Sequence, residues 1–343
     1  MTQEGSGGQT PGGEMRRLGR TGIETSAVGL GTWAIGSGWG DQNDTDSVAA
    51  IHRALDLGCR FLDTAQVYGE GRSERLIAQV FKDRGQRLPV ATKVPPQDYI
   101  WETEPGTPMR AKFPAHYLIE RCEQSLRNLA TDCLDVYQLH TWSAEWNDET
   151  EWYETMLKLR EQGKIRAIGV SVLDTHPDSA NGAIVAGRVD SVQLVYNIFD
   201  QRPRTQVFPL AAQHGVGILA RVPLASGALS GQWTRQTRFP RDDWRAAVFT
   251  GEELERTLGY VDAVRFLEES GHSLAEMAIR FAFSDPAVSA AIPGARNPQQ
   301  AEALMNAWRA GPLPEDTLKR LDELWRTTFS RHIQTSIQGA TAG

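Results

Sequence analysis

An aspartate and a tyrosine stand five residues apart in FLDTAQVYGEGRSE, residues 61–74, where a short apolar run gives way to glycines and then to a helical pattern. Asp63 ends the apolar run and Tyr68 lies in the turn after it. Lys93 closes a second such run, LPVATK, and His140 a third, LDVYQLH. Together these four groups suit the reduction of a carbonyl. The developing alkoxide needs a proton donor, and a phenol with an ordinary pKa of about 10 is a sluggish acid at neutral pH. An ammonium beside it favours the phenolate, so Lys93 is expected to lower the pKa of Tyr68, with Asp63 holding the lysine charged and in place. His140 can donate to the substrate oxygen and orient it, or share the proton relay. No side chain supplies a hydride, so a redox cofactor is implied.

Each residue alone has a bland reading: a tyrosine packed near a turn, an aspartate capping a helix, a solvated lysine, a structural histidine. Arrival of all four at the ends of three successive strand-like runs is what the bland readings do not predict. The C-terminal strand ends of an α/β barrel deliver catalytic groups in this way. Strand patterns recur at Ser26–Leu30, at Phe61–Asp63, at LPVATK and LDVYQLH, and then at IRAIGVS, VDSVQLV, VGILAR and VSAAIP. Helical patterns fall between them. The first follows the possible caps Asn43 and Asp44, carries Val48, Ile51 and Leu55 on one face and ends at Gly58; another, from Ser73, runs to about Lys82; a third shows Leu118, Cys122, Leu126 and Leu129. Later helices are expected at about 149–161, near Asp178, at about 204–214, twice after an insertion holding Trp233, Trp244 and Phe249, and at 299–308 and 315–327. A long loop, Pro95 to Phe113, is of the length that usually serves function.

The economical architecture is a single (β/α)8 barrel with its active site at the C-terminal strand ends. Residues 1–14, polar and glycine-rich, are expected to be a disordered tail, and 15–343 the barrel domain with its C-terminal helices. Gly29, Gly31 and Ala34 imitate a dinucleotide-binding fingerprint, but that motif opens a helix at once, whereas Trp33, Gly36, Gly38 and Gly40 read as a continuing loop.

The 343 residues carry a formal charge of −7, without a basic arm, which argues against nucleic-acid or anionic-membrane partners. No apolar run approaches the roughly 18 residues of a membrane helix, and the N-terminus lacks the apolar core of a secretory signal. The three cysteines, Cys59, Cys122 and Cys133, have no paired spacing and read as reduced, which points to the cytoplasm. The seven histidines form no H-E-x-x-H, so no metal site is expected. None of the seven tyrosines has a lysine four residues later, which sets aside short-chain dehydrogenase chemistry. Nothing in the sequence fixes an oligomeric state.

From Met15 to about Trp308 the chain resembles the aldo-keto reductase family, bacterial-type branch. The resemblance rests on DTAQVYGEGRSE, on Thr92–Lys93 at a strand end and on His140 after the fourth strand. It implies that Asp63, Tyr68, Lys93 and His140 form the catalytic tetrad, with Tyr68 as general acid. It also implies that Ser171 and Gln193 meet the nicotinamide carboxamide. The segment 221–231, with Arg221, Pro223, Leu224 and Gly227, resembles the loop around the pyrophosphate. The segment 292–303, with Gly294, Arg296 and Gln300, resembles the adenosine end. A glycine turn, a helix start and an arginine suit a phosphate there, so the implied cofactor is NADPH/NADP+, with NADH as the alternative. Three departures stand out: Val172 replaces an asparagine, Arg221 stands where an aromatic ring stacks on the nicotinamide, and Ala303–Leu304 replace a Glu-Asn pair. Trp33, Trp101 and Trp142, on loops at the active face, are expected to line the pocket of a small-molecule carbonyl substrate, apolar or ring-bearing. The competing reading is a nucleotide-binding regulatory or structural subunit with little turnover.

Overall fold

The computed structural model describes residues 13–36 and 39–331. Residues 1–12 of the expected tail, Gly38 and the last twelve positions, 332–343, lie outside the described residues. The remainder of that tail is packed: the Glu14 carbonyl accepts the Trp308 indole at 2.9 Å and the Ala27 amide at 3.0 Å.

Eight strands form one parallel sheet in sequence order: β3 (Leu30–Gly31), β4 (Leu62–Asp63), β5 (Val90–Val94), β6 (Leu134–Leu139), β7 (Ile165–Ser171), β8 (Ser191–Val195), β9 (Gly217–Arg221) and β10 (Val288–Ala291). Parallel bridges Val28–Ala291 and Gly31–Gly294 join its edges, so the sheet closes into a (β/α)8 barrel. Gly31 is required at that seam, because a Cβ would stand 2.6 Å from the Ile292 carbonyl oxygen. Helices follow the strands on the outside. A single turn, α1 (Trp33–Gly36), precedes α2 (Asp44–Asp56); next come α3 (Arg72–Arg84), the turn α4 (Met109–Lys112), α5 (Ala115–Asn128), α6 (Glu151–Glu161), α7 (Asn181–Val185) and α8 (Val207–His214). The insertion after β9 carries α9 (Arg245–Val248), α10 (Gly251–Ala263) and α11 (Leu274–Ser284); α12 (Pro298–Arg309) and α13 (Glu315–Leu324) end the chain.

Two expectations at the N-terminal side change. Ser26 belongs to an antiparallel hairpin, β1 (Met15–Arg17) and β2 (Glu24–Ser26), and the first barrel strand is only Leu30–Gly31. A helical turn does follow Gly31, contrary to the loop reading, but it lasts four residues rather than opening a long helix. Leu18 and Ile23, at the hairpin tip, are fully buried against Phe61, Ala91, Val136, Ala167 and Leu219 inside the barrel. The hairpin therefore seals the end of the barrel opposite the strand C-termini. Burying each such side chain stabilises by about 1.5–3 kcal/mol.

The alternation of strand side chains explains how polar groups reach the interior. Along β5, Ala91 points in, Thr92 points out to α3, and Lys93 points in again; along β6, Val136 and Gln138 share the inner face that His140 continues. An apolar floor thus carries a polar layer two residues further along each strand.

Candidate active site

Lys93 is fully buried at the end of β5, where its Nζ donates to Asp63 Oδ2 at 2.7 Å, to the Thr64 carbonyl at 2.8 Å and to the Tyr68 hydroxyl at 3.4 Å. The His140 ring lies 5.7 Å from the Tyr68 ring, edge to face. Asp63, Tyr68, Lys93 and His140, separate in sequence, are therefore one cluster. The second oxygen of Asp63 accepts from Gln193 Nε2 at 2.7 Å, so both of its oxygens are held.

The residues that follow Tyr68 aim the cluster. Ser73 Oγ donates to Thr32 Oγ1 at 2.6 Å and accepts from Thr64 Oγ1 at 2.9 Å, tying the ends of β3 and β4 to α3. Buried Glu74 accepts from Thr92 Oγ1 at 2.6 Å and from Asn128 Nδ2 at 2.7 Å, which holds the strand position beside Lys93. Gly36 lies against Tyr68 so closely that a Cβ would sit 2.5 Å from the tyrosine Cβ.

The charges act in an order that only the folded geometry sets. Burial pushes the Lys93 ammonium down, but Asp63 and Tyr68 outweigh it and leave its pKa raised, so the lysine is a fixed cation at neutral pH. For Tyr68 the expected lowering is corrected. Burial raises the phenol, Lys93 pulls it back and Asp63 raises it further, and the net shift is upward because burial is the largest of these influences. Burial, then Lys93 and Arg221, hold the His140 imidazole well below its usual range, so it is neutral at pH 7. Its Nδ1 is buried without a partner.

Ser171 and Gln193 sit side by side in the β7–β8 register, at the same end of the barrel as the cluster. The segment after β9 is strained: Val222, Ala225 and Ser226 have φ of 57°, 46° and 58°, and Gly227 of 99°. Left-handed backbone is uncommon outside glycine and a clear outlier for a β-branched residue such as Val222. Such strain gathers at ligand clamps. Pro223 is buried there, and the Leu224 carbonyl accepts from the amides of Gly227 at 2.9 Å and Leu229 at 3.1 Å. At the other end Asn297 caps α12 by accepting from the Gln300 amide at 2.9 Å, while Gln300 Oε1 accepts from the Arg296 amide at 2.8 Å; Gly294 is exposed beside them. The Arg296 guanidinium is bound to Gln42 Oε1 at 2.8 Å and to the Asp41 carbonyl, so it is a tie to the loop before α2 rather than a loose surface charge. Arg221 does not take the open stacking orientation. Its guanidinium donates to the Asp174 carboxylate and to the Val172 carbonyl at 3.0 Å, because a carboxylate partner offers a charge-assisted bond.

Of the three tryptophans, two meet the cluster. Trp33 stacks on Tyr68 at 6.2 Å, and Trp101 meets His140 edge-on at 5.6 Å, its carbonyl held by Thr141 Oγ1 at 2.8 Å. Trp142 is a correction: it is 1% exposed and packs on Trp146 and Trp152 beneath the loop, since the chain turns inward after Thr141. The sequence reading missed Trp39, Asp243 and Arg245. Trp39 meets Trp33 edge-on at 5.1 Å and bridges to Asp243; the only signal in the chain was the D-x-R spacing inside a tryptophan-bearing insertion. Among the described residues no group of three metal-ligating side chains occurs, and no helix is long and apolar enough to cross a membrane.

The family model described as the aldo/keto reductase family matches residues 27–326. Aldo-keto reductase YhdN of Bacillus subtilis is 34% identical over 300 residues, covering 85% of this chain and 87% of that protein. Among solved structures, the glycerol dehydrogenase from Gluconobacter oxydans superposes with a TM-score of 0.74 at 30% identity, covering 92% of this chain and 96% of that one. An aldo-keto reductase from Klebsiella pneumoniae in complex with NADPH gives a TM-score of 0.66 at 26% identity, covering 91% and 95%.

Proposed function

Because the chain belongs to the aldo-keto reductase family, we propose that it reduces an aldehyde or ketone to an alcohol using NADP(H), with Tyr68 as the general acid. The observation that carries this reading is the convergence of Asp63, Lys93, Tyr68 and His140 around one point at the strand ends. Bound NADPH would supply the hydride that the carbonyl carbon accepts. The chain's own residues manage the proton. Tyr68 gives its hydroxyl proton to the carbonyl oxygen as negative charge develops there, and the Lys93 ammonium stabilises the phenolate left behind. Asp63 keeps Lys93 charged, and neutral His140 donates one ring N–H to the same oxygen and sets its direction.

The fit to the nucleotide is supported by donors and backbone already in place. Asp63 takes the Nε2 of Gln193 and leaves its Oε1 to accept from a carboxamide, with Ser171 beside it. The strained segment 222–227 and the buried, unpartnered Arg221 Nε suit a pyrophosphate. Arg296, at the start of α12, favours a 2′-phosphate and hence NADP(H) over NAD(H). The NADPH-bound Klebsiella relative adds weight to this choice. Trp33 and Trp101, flanking Tyr68 and His140, favour a substrate with an apolar or ring-bearing face. A complete tetrad supports turnover over the regulatory-subunit alternative. The test follows loss of reduced-nicotinamide absorbance against a panel of aldehydes, ketones, quinones and sugars; NADPH binding without turnover of any of them would reject the reading.

A further inference from the structure

Three loops that belong to different parts of the site meet at one ion pair. Asp243, 2% exposed, receives Arg245 at both oxygens, Nε to Oδ1 at 2.9 Å and Nη2 to Oδ2 at 2.6 Å. The same guanidinium reaches the Ser226 carbonyl with Nη1 at 3.3 Å, inside the strained segment read above as the pyrophosphate loop. It also covers the Trp39 ring, 4.5 Å from the centroid. Trp39 is edge-on to Trp33, and Trp33 stacks on Trp244 at 5.8 Å on one side and on Tyr68 at 6.2 Å. The indole N–H groups of Trp39 and Trp244 are buried without partners, so what fixes these rings is packing and the arginine. A planar guanidinium can serve a carboxylate and an aromatic face at once, which an ammonium cannot.

We infer that Arg245, held by Asp243, is a positioning residue that couples the nucleotide loop to the substrate wall. One guanidinium sets both the Ser226 carbonyl and the Trp39 ring; ordering of the loop by nucleotide therefore fixes the arginine, and the arginine fixes the tryptophan wall beside Tyr68. This rests on the reading of 221–231 as a nucleotide loop.

Three measurements on the full chain test it. Tryptophan-fluorescence titration gives the NADPH dissociation constant, and Arg245→Met, which keeps length but loses the charged fork, is expected to weaken it by about tenfold. Acrylamide quenching, with Trp39→Phe to assign the signal, reads the wall: NADPH protects Trp39 in the wild type, and in Arg245→Met, even at saturating NADPH, that protection is lost. In steady state with 4-nitrobenzaldehyde, Arg245→Met raises KM while kcat at saturation stays within about twofold. Arg245→Lys, with charge but no fork, regains part of the nucleotide affinity and little of the Trp39 protection, and it serves also if the Met variant does not fold. A role limited to fold stability would lower the melting temperature and leave protection and KM as in the wild type, and that result would overturn the inference, as would a wild-type Trp39 indifferent to NADPH. NADPH-dependent protection without turnover of any carbonyl would instead reject the reductase reading and leave the coupling standing.

Discussion

The Gln193 side chain donates from Nε2 to Asp63 Oδ1 at 2.7 Å, across 130 residues of sequence, on the oxygen that Lys93 does not use. A residue read as a cofactor contact therefore also belongs to the Asp63–Lys93–Tyr68 cluster. With Lys93 on one oxygen and an amide on the other, the Asp63 carboxylate has one orientation, and Lys93 one position under the Tyr68 hydroxyl.

That arrangement makes Lys93 and Asp63 a unit. Lys93→Met leaves a buried carboxylate without its cation and is expected to cost about 3–5 kcal/mol of stability, whereas the pair Lys93→Met with Asp63→Leu costs much less than the sum of the single changes. Urea unfolding of the four proteins checks this; additive costs would show that the two residues do not act together.

Tyr68→Phe removes the proton donor and keeps the ring that stacks on Trp33. The rate of carbonyl reduction should fall by about 10² to 10⁴ while the NADPH dissociation constant is nearly unchanged. Full activity in this variant would end the assignment of Tyr68 as the acid.

His140 is held neutral, with a folded-state pKa well below 6.5. A depressed pKa contributes stability that is present above the unfolded value and is lost as pH falls toward the folded one. His140→Gln should therefore gain on the wild type in melting temperature as the pH drops below about 6.5, with a constant difference at higher pH. A variant that loses ground to the wild type on acidification, or a difference that does not change with pH, contradicts a buried neutral imidazole.

The field of Arg221 lowers both the Tyr68 and His140 pKa values, and Asp174 pairs with that charge. Asp174→Asn frees the positive field, so the alkaline limb of the kcat profile, which reports loss of the acid form of Tyr68, should move to lower pH. Arg221→Tyr should move it to higher pH. Movement of both variants in one direction would mean that the pair acts only as a structural tie.

Arg296→Ala should erase much of a preference for NADP(H) over NAD(H), by loss of charge-assisted hydrogen bonds worth about 1.5–3 kcal/mol. Dissociation constants for both cofactors in both proteins decide it. An equal weakening of the two would mean that Arg296 serves only to hold Gln42 and the loop before α2.

The alternation of strands and helices was legible because barrel strands such as β5 to β9 are apolar runs with helical patterns between them. The clustering of Asp63, Tyr68, Lys93 and His140 was legible because those residue types stand at the ends of those runs. The hairpin was not: MRR and ETS are three residues each, with no alternation to betray them, and their pairing is decided by Leu18 and Ile23 entering the barrel. Trp142 was misplaced because a tryptophan on a loop gives no sign of which way the loop folds. The upward shift of Tyr68 was misjudged because a lysine at the next strand end says nothing of burial, and burial is the largest influence on that phenol. Arg245 stayed hidden because Trp39, the ring it covers, comes from near the start of the chain, whereas Arg245 lies in the insertion after β9.

The plug made by Leu18 and Ile23 turns the barrel into a well with one opening. Beneath the Tyr68–Lys93–Asp63 cluster lies an apolar floor, so those groups meet bulk water by way of the mouth. On the function proposed above, nucleotide and substrate sit at that mouth. With both in place they would cover the cluster, and Tyr68, as the proposed acid, would have one proton to give per opening. Recharging that acid would then wait on departure of the alcohol, so that product release and the return of the proton become one event.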